Sequence, residues 1–223
     1  MKVGENLDKI KKEIPESLKL VAVSKTKPDE MIMDAYRAGH RRFGENKVQE
    51  LTARQPNLPQ DIQWHFIGHL QTNKVKYLAP FVRMIESVDR LKVLKEINKQ
   101  AAKVERVIPC LLQFHIAEEQ TKFGLDMAEA KQILESEAYA NMKNIRLEGV
   151  MGMATFTEDT GRIRREFKLL RNIFKELKVT YFSEDDAFRE ISMGMSGDYK
   201  IAIEEGSTMV RIGSLIFGER EYH

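Results

Sequence analysis

The sequence of 223 residues has few of the features that mark specialised classes of protein. A single cysteine, Cys110, cannot form an internal disulfide or a thiolate metal cluster, and it suits a reducing compartment. No apolar run approaches the roughly 18 residues that a membrane span needs, and the charged segment 1–14 does not resemble a secretory signal. We therefore expect a cytoplasmic protein with no membrane association.

An excess of charge of one sign is also absent. Lysine and arginine number 36 against 34 acidic residues, which gives a net charge of +2 and argues against a nucleic-acid partner. His40, His69 and His115 show no pairing at helical spacing and no nearby carboxylate set, so we expect no metal site. The 42% hydrophobic and 31% charged contents are typical of a soluble globular protein.

Short apolar strands alternate with helical segments along the chain, after a first amphipathic helix over residues 3–14. The predicted strands are 18–23, 42–44, 62–68, 84–88, 108–116, 145–154, 188–193 and 207–217. Strands that alternate with helices predict parallel strands joined by crossovers. The fold class is therefore α/β, a single (β/α)₈ TIM barrel over residues 1–223 with an extra N-terminal helix. The competing doubly wound sheet is disfavoured because no G-x-G-x-x-G follows the first strand.

Lys25 follows the first predicted strand directly and would lie at the mouth of such a barrel. Chemistry in these barrels takes place at the carboxyl ends of the strands. Partial removal from water favours the neutral amine of a lysine, which can form an imine with an aldehyde. The plainer alternative is that Lys25 and Lys27 are both solvated loop residues. Because Lys25 is nearer the buried run, we take it as the candidate and expect Lys27 to face solvent.

Arg211 interrupts the apolar run of the eighth predicted strand. Alternation along a strand places Arg211 and Gly213 on one face, and the apolar Val210 and Ile212 suit the face that packs under helices. Arg211 should therefore point into the barrel, where its charge needs an acceptor or an anion. A structural ion pair, for example with Glu148, and a contact with a ligand remain equal alternatives.

Two turns rich in glycine and serine follow the seventh and eighth predicted strands. One contains Ser196 and the other contains Gly213 and Ser214. Loops at these two places form the usual phosphate site of this class of barrel. Each turn alone is a common feature, but their joint placement predicts a phosphate-binding site.

Two residues of the second and third strands are further candidates. His65 alternates with Trp64 and Phe66, which suit the helix layer, so His65 should point into the barrel. It is either a ligand contact or a core histidine with its own partner. Asn46, after the second strand, either reaches the mouth or caps the next helix.

These residues belong to motifs that resemble the pyridoxal-phosphate homeostasis proteins (YggS/PROSC). The motifs occur in the family's order from Leu20 to Tyr222, and they are Leu20-Val-Ala-Val-Ser-Lys25-Thr-Lys27, Phe43-Gly-Glu-Asn46, Trp64-His-Phe-Ile-Gly68-His-Leu-Gln-Thr-Asn-Lys74, Lys122-Phe-Gly124, Gly194-Met-Ser196 and the segment from Gly206 to Gly218. The resemblance implies a barrel similar to the N-terminal domain of alanine racemase and pyridoxal 5'-phosphate as the cofactor.

The resemblance also implies roles for the candidate residues. Lys25 matches the lysine that forms the internal aldimine, Arg211 the arginine near the pyridine nitrogen, and Asn46 a residue beside the ring. Ser196, Gly213 and Ser214 match the positions that hold the phosphate.

Three functions fit these residues. The first is a cofactor-binding protein of intracellular pyridoxal phosphate homeostasis without strong turnover, a monomer that could supply pyridoxal-phosphate-dependent apo-enzymes. The second is a racemase-like enzyme, although the resemblance puts the second base of alanine racemase, a tyrosine, in a separate domain, and neither Tyr199 nor Tyr222 lies in a motif that suggests this role. The third, an imine-forming aldolase, leaves Arg211 and the cofactor motifs unexplained. We favour the first.

Overall fold

A closed barrel of eight parallel strands forms the centre of the computed structural model, which describes residues 2–118 and 123–219. Strands β1 to β8 are Lys19–Val23, Arg42–Glu45, Gln63–Phe66, Met84–Val88, Ile108–Phe114, Ile145–Gly152, Glu190–Ser192 and Met209–Ile212. Helices α1 to α10 are Lys2–Glu13, Asp29–Arg37, Val48–Arg54, Val75–Leu78, Leu91–Lys103, Met127–Leu134, Glu137–Ala140, Thr160–Tyr181, Tyr199–Glu204 and Ser214–Phe217. The predicted fold class and the N-terminal helix are confirmed.

The eighth strand is shorter than the predicted segment 207–217. It ends at Ile212, and helix α10 begins at Ser214. The apolar residues Ile216 and Phe217 are buried on this helical turn. Because strand and helix are both apolar here, the hydrophobic pattern of the sequence does not indicate where one ends and the other begins. The turn at Gly213 consequently lies at the barrel mouth.

The strands pack apolar residues on both of their faces. Val21, Met84, Leu111, Met151 and Met209 form a separate buried cluster inside the barrel. The alternate residues of the same strands join the helices in the main core. Burial on both faces is what a parallel barrel requires of its strands.

A bulge in β6 sets the register of the barrel wall. Cys110 pairs with Leu147, but the next residue, Leu111, pairs with Gly149. Gly149 has φ of 151°, and a Cβ there would lie 1.9 Å from the carbonyl oxygen of Glu190. Only glycine permits this close approach of two strands.

Helix α1 packs against the last helical turn of the described chain. Val3, Leu7 and Ile10 of α1 are buried, and the Asn6 amide donates a hydrogen bond of 3.1 Å to the carbonyl of Ile216 in α10. The N-terminal helix therefore supports the turn that follows β8.

His40 provides a prediction about stability and pH. Burial lowers the pKa of His40 to about 4, from 6.5, and its Nε2 donates to the Arg42 carbonyl at 2.6 Å. Below pH 6.5 the unfolded chain takes up a proton that the folded protein does not accept until about pH 4. We expect the free energy of unfolding to fall by about 3 kcal/mol over this window because of His40.

Urea unfolding across this pH window would measure the effect. The substitution His40→Gln keeps a donor for the Arg42 carbonyl but does not titrate, so its stability should fall less steeply than that of the wild type. Parallel pH profiles for the two proteins would contradict the prediction.

Within residues 2–118 and 123–219, no helix is both long enough and apolar enough to cross a membrane. The same residues contain no group of three or more histidine, cysteine or acidic side chains that could hold a metal ion. Cys110 is fully buried in β5, as expected for a small apolar core residue.

Candidate functional site

A cavity of about 740 Å³ opens at the carboxyl ends of the strands. Its volume lies within the range of about 300–1,000 Å³ that is usual for small-molecule sites. Six of the seven residues singled out from the sequence line it, and these are Lys25, Asn46, Ser196, Arg211, Gly213 and Ser214. His65, the seventh, is not among the lining residues.

Arg211 lies at the base of this cavity and is buried. Its guanidinium donates to the Ser192 hydroxyl at 2.5 Å and to the Gly152 carbonyl at 2.9 Å. The Ser192 hydroxyl in turn donates to the Glu86 carboxylate at 2.5 Å, and Arg211 lies 3.9 Å from the same carboxylate. Arg211 therefore has a fixed orientation inside the barrel.

His65 points into the barrel, as its alternation with aromatic residues predicts. Its Nδ1 lies 2.6 Å from the Glu86 carboxylate, which makes it a core histidine with a partner beneath the cavity. Burial alone would raise the pKa of Glu86, yet the hydrogen bond and charge of His65 and the charge of Arg211 hold that pKa below its ordinary value. The Glu86 carboxylate therefore stays charged and balances Arg211.

The prediction that Glu148 could be the ion-pair partner of Arg211 is wrong, because the acidic partner is Glu86. Glu148 shares a strand face with the exposed Arg146, two residues before it, and accepts from the Arg146 Nε at 2.9 Å. Both residues lie in the first half of β6, whereas Arg211 contacts the carbonyl of Gly152 at the end of that strand. Glu86 had a signal in the sequence, since it is an acidic residue within the apolar strand 84–88.

The turns after β7 and β8 meet, as predicted. The Gly213 N–H donates to the Ser196 hydroxyl at 3.2 Å. A Cβ at Gly213 would lie 3.2 Å from the Val23 carbonyl oxygen, so the glycine lets this turn lie close against the end of β1. The two turns thus present hydroxyl and backbone N–H groups, the donors that bind phosphate, on one side of the cavity.

Asn46 lies across the cavity in close contact with Gly68. A Cβ at Gly68 would lie 2.1 Å from the carbonyl oxygen of Asn46, so glycine is required there. The side-chain oxygen of Asn46 is buried and has no hydrogen-bond partner among residues 2–118 and 123–219. A buried acceptor of this kind requires a donor from a ligand or water.

Lys25 is half-buried on the loop that follows β1. The next residue, Thr26, has φ of 63°, a conformation that costs a β-branched residue about 1–3 kcal/mol. Lys27 was expected to face solvent, but it also lines the cavity, and its amine donates to the Glu219 carbonyl at 2.6 Å. Two lysines therefore border the same opening.

Sequence reasoning missed several residues of the mouth, most of which lie on loops. The rings of His69 and Phe123 stack with centroids 4.1 Å apart, and the Gln113 amide donates to the Phe123 carbonyl at 2.9 Å. The Asp89 carboxylate, directly after β4, lies 3.2 Å from His69 Nδ1. Gln113 could have been found, since it stands near the end of a strand. Of the motif at 122–124, Lys122 lies outside the described residues.

Comparison with known proteins assigns the family. The model of the family described as "Alanine racemase, N-terminal domain" matches residues 2–221. The pyridoxal phosphate homeostasis protein of Aquifex aeolicus is 41% identical over 205 residues, which cover 92% of this chain and 88% of that protein. This chain belongs to the pyridoxal phosphate homeostasis protein family. The human family member is 41% identical over 216 residues, which cover 92% of this chain and 77% of that protein.

Two solved structures show which proteins share this fold. PipY of Synechococcus elongatus, in a structure with PLP bound, superposes with a TM-score of 0.87 at 31% identity, covering 97% of this chain and all of PipY. An alanine racemase of Clostridium difficile superposes with a TM-score of 0.76 at 15% identity, covering 99% of this chain and 57% of the racemase. The second likeness concerns the fold alone.

Proposed function

We propose that this chain binds pyridoxal 5'-phosphate and serves intracellular homeostasis of that cofactor without strong catalytic turnover. The observation that carries the proposal is that one cavity is bordered by the Lys25 amine, the Arg211 guanidinium and the paired turns at Ser196 and Gly213. These groups match the aldehyde, the ring nitrogen and the phosphate of the cofactor. The names of the relatives and the PLP-bound structure of PipY support the same assignment.

The donors and acceptors of the cavity fit this cofactor. The unpartnered oxygen of Asn46 can accept from the phenolic hydroxyl of the ring. Ser196, Ser214 and the backbone beside Gly213 can hold the phosphate. Burial lowers the pKa of Arg211, but a guanidinium remains protonated in proteins and can only donate. Facing the ring nitrogen, it would disfavour protonation there and weaken the ring as an electron sink.

The covalent step that we propose is the formation of an imine on Lys25. The neutral amine adds to the aldehyde carbon, a carbon–nitrogen double bond forms, and the aldehyde oxygen leaves as water. The cofactor supplies a reactive aldehyde and an electron-withdrawing ring, and the protein holds both. His65 does not line the cavity and would support this site indirectly, through its contact with Glu86 beneath the cavity.

A carrier role is favoured over a racemase because of where the tyrosines lie. A two-base racemase needs a second acid or base on the face of the ring opposite the lysine. The Tyr199 hydroxyl donates to Glu13 at 2.6 Å, and none of the described residues that line the cavity is a tyrosine. Tyr222 lies outside the described residues.

Borohydride reduction of the purified protein after incubation with pyridoxal 5'-phosphate tests the proposal. Reduction should fix one cofactor on Lys25, identified by peptide mapping, and a label on Lys27 alone or on no lysine would overturn the assignment. A second measurement separates carrier from racemase. Alanine incubated with the loaded protein in deuterium oxide should not gain deuterium at its α-carbon at enzyme-like rates, whereas steady incorporation would favour the racemase.

We further propose that the chain acts as a cytoplasmic monomer and that apo-enzymes dependent on the cofactor are its recipients. The single buried cysteine and the near-neutral charge support a reducing compartment without nucleic-acid partners. Sedimentation of the loaded protein tests the monomer, and activation of an apo-enzyme by the loaded protein tests the transfer.

A further inference from the structure

The loop that carries Lys25 needs support from elsewhere in the protein. Thr26 adopts a positive φ that a β-branched residue rarely takes. Within the loop, the Lys27 N–H donates to the Ser24 carbonyl at 3.0 Å, and the Ser24 N–H donates to the Gly44 carbonyl of β2 at 3.0 Å. A strained conformation persists only where surrounding contacts determine it.

Arg54, at the end of α3, supplies such contacts on both sides of Lys25. One guanidinium nitrogen donates to the Lys27 carbonyl at 3.0 Å, and the other lies 3.4 Å from the Ser24 carbonyl. The Arg54 side chain is 12% exposed. Because a guanidinium is planar with donors in a fixed fork, it can hold two carbonyls at a set separation.

Glu45 holds Arg54 in this position. Its carboxylate accepts from Arg54 at 2.7 Å and from the Ser24 hydroxyl at 2.7 Å. Glu45 is fully buried on the outer face of β2, since its neighbour Gly44 contacts the inward-facing Val21. Burial raises the pKa of Glu45, and the Ser24 hydroxyl and the Arg54 charge oppose that rise.

Neither Arg54 nor Glu45 borders the cavity. They lie behind the barrel wall, so they do not contact a molecule bound at the mouth. We propose that Arg54, fixed by Glu45, is a positioning residue that holds the Ser24–Lys27 loop in the conformation that presents the Lys25 amine to the cavity. This inference rests on the proposed role of Lys25 in imine formation.

The substitution Arg54→Met tests the inference, with Arg37→Met as the control. Arg37 lies on the neighbouring helix α2 and forms an exposed ion pair with Asp34. In the protein without cofactor, hydrogen exchange of the amides of Ser24 and Lys27 should accelerate about tenfold or more in Arg54→Met, while global stability is followed separately by urea unfolding. The control should exchange these amides at the wild-type rate.

The second measurement is the rate of imine formation on Lys25. With pyridoxal 5'-phosphate, the rate of borohydride-trapped labelling at Lys25 should fall between about tenfold and about 100-fold in Arg54→Met, as expected when a reacting group is misplaced. A purely structural role for Arg54 would lower stability and leave the labelling rate at Lys25 unchanged.

Two further variants cover the case in which Arg54→Met does not fold. Arg54→Lys keeps the charge beside Glu45 but cannot hold both carbonyls, so it should fold and still label Lys25 more slowly. Glu45→Gln should act through Arg54, and adding it to Arg54→Met should slow labelling little further. Wild-type labelling rates and exchange rates in Arg54→Lys, or in Arg54→Met where it folds, would overturn the inference.

The outcome also separates this inference from the proposed function. If the wild-type protein forms no imine on any lysine, the proposed function fails, but the exchange measurement still decides whether Arg54 holds the loop. If the wild type labels Lys25 and the Arg54 variants do so equally fast, only the positioning role fails.

Discussion

Alanine in place of Lys25 will leave a folded barrel that carries no covalently bound cofactor after borohydride reduction. Lys25 is half-buried on a loop, outside the core. Its removal should therefore change the free energy of unfolding by less than about 1 kcal/mol. Without its amine no imine can form at the proposed position, while the turns at Ser196 and Gly213 still offer donors to a phosphate. We expect reversible, non-covalent binding to remain.

Lys27→Ala is the matched comparison, because the Lys27 amine borders the same cavity. Peptide mapping of this variant should find the label on Lys25. If Lys25→Ala still carried a full equivalent of label, the imine would form elsewhere. If Lys25→Ala failed to fold, a structural lysine would be indicated, and urea unfolding distinguishes this result from loss of the imine.

Replacing Arg211 with methionine will destabilise the barrel by about 3–5 kcal/mol, the usual cost of leaving one charge of a buried pair without its partner. Arg211 and Glu86 are both buried, 3.9 Å apart, with the Ser192 hydroxyl between them. When the guanidinium is removed, His65 and the Ser192 hydroxyl, which also lower the pKa of Glu86, remain beside the buried carboxylate. Urea unfolding near neutral pH would measure the loss.

The double variant Arg211→Met with Glu86→Gln removes both charges and should recover most of this stability. The glutamine can still hydrogen-bond with His65 and Ser192, the partners of the carboxylate. Arg189→Met is the control, because its side chain is 73% exposed and should cost between about 0 and 1 kcal/mol. Equal losses of stability in the single and double variants would show that the Glu86 carboxylate is not the charge left without a partner.

The barrel is predictable because its two kinds of element have different hydrophobic patterns: strands buried on both faces are continuous apolar runs, and amphipathic helices repeat apolar residues every three or four positions. These two patterns alternate along the chain. Boundaries are less predictable. The run 207–217 is apolar throughout, yet a turn at Gly213 and a helix from Ser214 divide it. Composition cannot show this division, since residues of both elements pack into the same core.

The site residues divide in the same way. Lys25, Arg211 and the two turns are predictable because barrel chemistry lies at strand ends and because a charged residue in an apolar strand needs a reason. Arg54 is not predictable. It occupies an ordinary helical position, and its contacts with Ser24 and Lys27 depend on how α3 packs beside the loop after β1.

The contact between Asn6 and Ile216 joins residues 210 positions apart, and β1 completes the barrel by pairing with β8. During synthesis on the ribosome, Lys25 therefore emerges long before the turns that face it. Contacts so distant in sequence form slowly. The cavity is therefore incomplete until translation has passed α10, so we expect the proposed ligand to bind only after all eight strands have been made.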